Sequence, residues 1–302
     1  PHETPLEGAC LVGDLALGWG PGLTSAELRE GTRLDAHAPP QPVSLGYLDP
    51  SGEFVFAVIG GDLVRTSPRS LSRPIVLASF QGQTPTLLAS TPDYILSARG
   101  DRAFLMDALG KGQAALNPGS PIADLTFWSD PPRPLLLTRS GALHYFQPSG
   151  GPSGDPLTVD LEDPHTMRVV EGRAYLADAQ HLLVVDLQAR KVLEKVDLSA
   201  LADPIATLGV SPAGGFLALG TRGGRLLRFE VRAASAPPKA TLPRLAWGDL
   251  RARHATGVSA LCQVGPDLVS AGRDGRVHVW DRESGRARRS LVAGRGILRL
   301  EP

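Results

Sequence analysis

Cysteine, methionine, asparagine and lysine are all scarce in this chain of 302 residues: two Cys, two Met, a single Asn at Asn117 and four Lys. Two thiols are too few for a disulfide-built scaffold or a thiolate metal centre. Cys10 and Cys262 both lie in apolar stretches, so buried free thiols are expected, with a disulfide between neighbouring units as the alternative. Long hydrophobic runs are missing as well, and nothing approaches the ~18 residues needed to span a bilayer. Net charge is absent, with 31 basic and 31 acidic side chains, which argues against a nucleic-acid polyelectrolyte. The shortage of Lys against Arg fits a GC-rich genome or a thermophile, and a bacterial source is the expectation. The chain opens on Pro1 rather than Met. Loss of a signal peptide, an initiator segment, a neighbouring domain or a tag is therefore expected, leaving a cytoplasmic or an exported location open.

What the chain has in quantity is turn-forming residues, 34 Gly and 27 Pro, which fits many short strands and few long helices. The stretch His254 to Asp281, HATGVSALCQVGPDLVSAGRDGRVHVWD, makes the pattern legible. An apolar run Val258–Val264 ends at Gly265-Pro266. A second run, Leu268–Ala271, leads to the tight turn Arg273-Asp274-Gly275, and an alternating strand Arg276–Trp280 closes on Asp281. Three short strands joined by such turns predict one blade of a β-propeller.

This stretch resembles a repeat of the WD40 family. His254, Ser270, Asp274 and Trp280 stand where that family carries its hydrogen-bonded His–Ser/Thr–Asp–Trp tetrad, and Trp280-Asp281 matches its terminal dipeptide. The resemblance implies a propeller of four-stranded antiparallel blades and a protein-interaction scaffold. A fold of this kind carries many activities, so function must be argued from a site.

The ends of the third strands form a ladder at Ser67, Asp107, Gln147, Asp186, Glu230 and Asp281, with spacings of 40, 40, 39, 44 and 51. A period near 40 to 45 is the WD40 value. Met106, Phe146, Val185 and Phe229 replace the Trp in earlier units, so those blades are expected to cohere mainly by packing. Six marks plus the two termini predict an all-β, seven-bladed propeller forming a single domain over residues 1–302. Pro5–Trp19 reads as second and third strands, and Ile297–Leu300 as the missing first strand, so the ring is expected to close by the C-terminal strand pairing with the N-terminal blade. An alternative register makes residues 9–36 a complete blade with its mark at Glu27. Arg232–Thr256 reads as an insertion joining the fourth strand of one blade to the first strand of the next.

Catalytic motifs are not found: no nucleophile elbow, no phosphate-cradling Gly loop before a helix, and no His or Cys pair at metal spacing. No cofactor and no catalytic residue are therefore expected. His254 as a general base on Ser270 is the weaker reading, because the tetrad uses the same residues and predicts their burial. His278 alternates with Val277 and Val279 and should face a neighbouring sheet or the surface. Asp14, Asp62, Asp101 and Asp178 fall near turns, leaving a divalent cation open.

The clearest candidate constellation is an arginine in the second-to-third-strand turn of four units: Arg99, Arg139, Arg222 and Arg273. Such turns emerge on one face around the channel mouth, where four guanidinium groups would form a collar for carboxylates or phosphates. The bland alternative is local pairing with acidic neighbours in solvent. Trp247, Arg251 and Arg253 of the insertion should lie on the same face. Charge is also sectored: residues 153–203 carry ten acidic and five basic side chains, 248–302 six and ten. Arg286, Arg288 and Arg289 read as gatekeepers on an outer strand, without the interleaved aromatics of a nucleic-acid surface. The leading expectation is a non-catalytic, monomeric scaffold that binds an acidic or anionic protein partner. Alternatives are a propeller enzyme of hydrolase, lactonase or quinone-dependent type, and a ligand-sensing regulatory domain.

Overall fold

A computed structural model describes residues 8–12, 15–27, 32–49, 51–80, 84–112, 114–211, 216–230, 245–247, 253–264, 267–281 and 284–292. Seven four-stranded antiparallel sheets follow one another along the chain. Blade 1 is β1 (Gly8–Val12), β2 (Leu15–Trp19), β3 (Leu23–Glu27) and β4 (Thr32–His37). Blade 2 is β5 (Val43–Leu48), β6 (Val55–Ile59), β7 (Asp62–Ser67) and β8 (Ser70–Ser79). Blade 3 is β9 (Leu87–Ser90), β10 (Tyr94–Arg99), β11 (Arg102–Asp107) and β12 (Ala114–Leu116). Blade 4 is β13 (Ile122–Trp128), β14 (Arg133–Thr138), β15 (Ala142–Tyr145) and β16 (Leu157–Thr158). Blade 5 is β17 (Thr166–Val170), β18 (Arg173–Ala177), β19 (His181–Asp186) and β20 (Lys191–Asp197). Blade 6 is β21 (Ile205–Val210), β22 (Phe216–Thr221), β23 (Leu226–Glu230) and β24 (Leu245–Trp247). Blade 7 is β25 (Val258–Val264), β26 (Asp267–Gly272), β27 (Arg276–Asp281) and β28 (Ala287–Val292).

The third strands end on every mark of the sequence ladder except Gln147, where β15 stops two residues earlier at Tyr145, and β3 adds Glu27 at the same spacing. Two sequence expectations are corrected here. The N-terminal blade has its own first strand, β1, whose Gly8–Val12 pairs with Leu15–Trp19. The complete-blade register is therefore the one adopted. The place assigned to Ile297–Leu300 is already filled, and those residues lie outside the described ones. The long spacing before Asp281 is also relocated. β24 is the fourth strand of blade 6 and lies within the supposed connection, so the extra residues fall between β23 and β24 as well as after it. The misreading has a simple cause: a three-residue outer strand has no periodicity to detect.

The pattern of burial follows strand position. Second strands such as β14 (RPLLLT) and β22 (FLALGT) are buried along almost their whole length, because both faces of a blade are covered by its neighbours. The outer strand β20 (KVLEKVD) alternates exposed and half-buried, because only one row meets a neighbour. Among the described residues the core is divided into seven apolar clusters. Six of them draw buried side chains from two consecutive blades, as where Leu135, Leu143 and Tyr145 of blade 4 meet Met167, Leu176 and Val185 of blade 5. The seventh belongs to blade 7, where Ala16 of blade 1 packs on Ala260, Cys262, Val269 and Ala271. Cys262 is buried, and the side chain of Cys10 lies outside the described set.

Candidate binding face at the channel mouth

Antiparallel blades put every second-to-third-strand turn and every loop entering a first strand on one face. Backbone hydrogen bonds lock the two together. The amides of Arg139, Arg222 and Arg273 donate to Pro121, Pro204 and Gly257 O, at 2.8, 2.8 and 2.9 Å, just ahead of their own first strands. In return Ile122 N donates to Gly100 O (2.6 Å) and Ile205 N to Ala179 O (2.8 Å) of the preceding blade. The turns of blades 4, 6 and 7 are thus tied to their own entry loops, and those of blades 3 and 5 to the first strand of the next blade.

Three of the four arginines share one turn. Arg139-Ser140-Gly141, Arg222-Gly223-Gly224 and Arg273-Asp274-Gly275 each put Gly third at φ 77°, 86° and 75°, the left-handed conformation a three-residue hairpin needs. Arg99 differs. It ends β10, pairs with Arg102, and is followed by the two-residue turn Gly100-Asp101. The fourfold equivalence read from sequence is therefore threefold plus one. Arg139 is exposed and bridges to Asp163 at 2.8 Å, the local pairing weighed as the bland alternative. Arg222 and Arg273 are exposed and have no ion-pair partner among the described residues. Arg99 lines the mouth of the channel.

That mouth is a cavity of about 600 Å³. Blades 3 to 5 supply Arg99, Asp124, His165 and Arg168, and the rest of the rim brings hydroxyls, including Ser44, Thr207 and Ser259, with Trp19 and Leu45. Asp124 accepts from Leu125 N (2.9 Å) and Met167 N (2.8 Å), and Arg168 Nη1 stands 3.5 Å from it while donating to Met167 O at 2.7 Å. Sequence reasoning missed this group. The available signal was a charged residue interrupting an apolar first strand, Asp124 in IADLTFW and Arg168 in TMRVV. Four first strands also shift register at their second residue, Ser44, Ala123, Ala206 and Ser259. Bulges of this kind open a ladder where backbone must be re-aimed.

The tetrad residues form a buried hydrogen-bonded chain. Trp280 Nε1–H donates to Ser270 Oγ at 2.7 Å, Ser270 Oγ lies 2.8 Å from His254 Nε2, and His254 Nδ1 lies 3.1 Å from Asp274 Oδ1. Burial holds the imidazole below its ordinary pKa, against the pull of Asp274. A neutral ring with its proton on Nδ1 donates to Asp274 and accepts from Ser270, so every group is used. His278 faces blade 6 beside Trp280, its ring 4.5 Å from that of His254 and 5.3 Å from that of Trp280. Asp274 further accepts from Ala255 N (2.8 Å) and Arg276 N (3.0 Å), tying turn to entry loop.

Other blades make the same tie without the motif. In blade 5, Asp178 of the turn accepts from Glu162 N of the entry loop at 2.9 Å, and also from Gln180 and His181 N. In blade 6 the direction reverses: Asp203 of the entry loop accepts from Thr221 Oγ1 (2.6 Å) and Gly223 N (2.8 Å) of the turn. The expectation that these blades cohere mainly by packing is thus amended by carboxylate staples. Asp62 begins β7 and Asp101 lies in the β10–β11 turn, while Asp14 is outside the described residues. Among the described residues no group of three His, Cys, Asp or Glu side chains is placed to hold a metal ion. Trp247 ends β24, its backbone in register with Leu226 at the turn-bearing end of β23, and so on this same face at the outer rim. Arg251 lies outside the described residues.

No protein-family profile and no curated protein matches the sequence. Solved structures do match in shape. The computationally designed protein Ika8 has a TM-score of 0.73 at 14% identity, over 99% of this chain and 90% of its own. Sqt1 of Saccharomyces cerevisiae has a TM-score of 0.69 at 11% identity, over 98% and 88%. The β-propeller domain of Cps50 (Swd1) from Myceliophteria thermophila has 0.68 at 14%, over 86% and 90%. The fold is a WD40-like seven-bladed β-propeller. At these identities the likeness extends to the fold and no further.

Proposed function

We propose that the chain is a non-catalytic interaction scaffold whose turn-bearing face binds an acidic or anionic protein partner. The observation that carries this reading is the pair Arg222 and Arg273. They lie on consecutive blades, on turns each tied by a backbone hydrogen bond to the entry loop of its own blade, and are exposed beside a mouth that adds Arg99 and Arg168. Guanidinium groups on a rigid frame suit bidentate recognition of carboxylates, since little backbone freedom is lost on binding. The likeness in fold to Sqt1 and Cps50 (Swd1), and to a chain of a mitotic checkpoint complex, is consistent with a scaffold.

The test is retention on immobilised poly-glutamate, with poly-lysine as control, together with capture of partners from the native host. The chain should bind poly-glutamate, release as salt rises, and lose most of its retention in Arg222→Glu/Arg273→Glu at unchanged melting temperature. Equal retention of that variant would remove this face from the reading.

A further inference from the structure

We infer that the channel mouth takes a neutral polyhydroxylated small molecule, of the monosaccharide class, on the arc formed by blades 5 and 6. At about 600 Å³ the cavity falls within the range of roughly 300–1,000 Å³ typical of small-molecule sites. Four side chains of that arc define the ligand's chemistry.

Two of them are threonines. Thr166 opens β17 and Thr207 lies in β21; both line the cavity and are otherwise buried, at 5% and 4% exposed. Neither hydroxyl has a hydrogen-bond partner among the described residues, and neither oxygen is sealed in the interior. The methyl group of Thr207 is turned towards Gly220, where an added Cβ would lie 3.0 Å from it, which leaves the hydroxyl on the cavity side. A hydroxyl so enclosed that finds no partner in the protein calls for one from outside.

Arg168 and His165 add opposite polarities. Arg168 Nη1 donates to Met167 O at 2.7 Å and stands 3.5 Å from Asp124 Oδ2, whereas Nη2 has no partner among the described residues. That nitrogen can only donate. His165 Nε2 lies 3.2 Å from Ile205 O. The carbonyl can only accept, so the ring proton sits on Nε2 and Nδ1 is left as an acceptor. A ligand seated here has to accept from Arg168, donate to His165 and do either with the threonines. Ligand hydroxyls meet all three demands. An ionised carboxylate has no proton for Nδ1, and an ammonium group has no lone pair for Arg168. Arg99, Asp124 and Ser259 also line the mouth but are engaged within the protein, and no contact with the ligand is assigned to them.

In a ring of seven, the seam of blades 5 and 6 stands across from blade 2. The lining there is different. Ser44 and Thr86 spend their hydroxyl protons on Val58 O (3.3 Å) and Ala98 O (3.5 Å) of their own blades, and Trp19 and Leu45 supply apolar surface. A sugar ring carries the same division, with hydroxyls along its edge and C–H groups on its face, and a few placed polar groups opposite an apolar wall would orient it.

Calorimetric titration of the full chain with glucose, galactose, mannose and ribose, set against gluconate and inorganic phosphate, tests the assignment. At least one neutral sugar should bind, at least about tenfold more tightly than either anion. Thr207→Val keeps the outline of the side chain and removes the hydroxyl, so it should weaken that sugar about fivefold with no fall in melting temperature. Thr166→Val should do the same, and serves where the first variant does not fold. No heat from any sugar at about 10 mM, an anion binding as tightly as the best sugar, or unchanged affinity in the folded variant would each overturn the inference. Retention on poly-glutamate reads Arg222 and Arg273, which do not line the cavity, so failure at the rim and failure in the cavity are distinguishable.

Discussion

Ser270 is the shared partner of Trp280 and His254, and all three side chains are fully buried. Replacing it with Ala leaves an indole N–H and an imidazole nitrogen unpaired in a dry environment, so Ser270→Ala should cost about 2–4 kcal/mol, read by chemical denaturation. The same buried cluster carries a pH response. Burial, the largest cause, holds both His254 and His278 below 6.5, with Asp274 pulling the other way and Arg276 adding to the depression. The unfolded chain therefore takes up protons first as pH falls below 6.5, and stability should decline from there until the folded-state values are passed. A melting series from pH 8 to 5 should show this decline, and His278→Gln should make it shallower. Burial raises Asp274, but the amides of Ala255 and Arg276 and the His254 contact outweigh it and leave it below 3.8. Its contribution is thus complete above 3.8 and is lost only as pH falls through its lower folded value. The tetrad was legible because four residue types at fixed spacing name it. The staples of Asp178 and Asp203 were not, because one comes from the turn and the other from the entry loop, so no single spacing describes both.

At the scale of the strand, periodicity was a reliable guide wherever a strand has two neighbours in its sheet. Strands such as β14 and β22 read as continuous apolar runs because a blade is covered on both faces. It failed at the outer edge, where β24 is three residues long, and at the turn after Arg99, where a two-residue hairpin stands in place of a three-residue one. Close approach between sheets is equally invisible in sequence. Gly46 of β5 faces Trp19 of blade 1 so closely that an added Cβ would lie 2.6 Å from the indole ring. Trp19 is buried and packs with Leu17, Val43 and Val55, so it has little room to retreat. Gly46→Ala should therefore lower stability by about 1–3 kcal/mol through overpacking. An exposed substitution such as Val76→Lys, on β8 where the side chain is 59% exposed, should stay within about 0.5 kcal/mol. Measured side by side in urea, the pair separates a sheet-to-sheet contact from the general cost of mutation.

In the molecule as a whole, stability is distributed over seams between consecutive blades, each with its own apolar cluster. The seam between blade 7 and blade 1 is built of smaller residues than the others among the described side chains. Ala16 meets Ala260, Cys262, Val269 and Ala271 there, whereas aromatic and Leu side chains fill the seam between blades 4 and 5. This seam is the one a closing strand would serve. Blade 1 nevertheless has four strands of its own, and its β1 lies beside β25. Every backbone ladder position that Ile297–Leu300 would have supplied to blade 1 is taken by Gly8–Val12. A chain truncated after Val292 should accordingly melt in one transition within about 2 °C of the full chain, since a change of 1 kcal/mol in a protein of this size shifts the midpoint by about 2–4 °C. A fall of about 10 °C, or a split transition, would mean that the C-terminal residues stabilise the ring by a route other than completing the first blade. Removal of residues 1–12 is the counterpart. It takes away β1, exposes the inner edge of β2, and should cost far more than the C-terminal deletion.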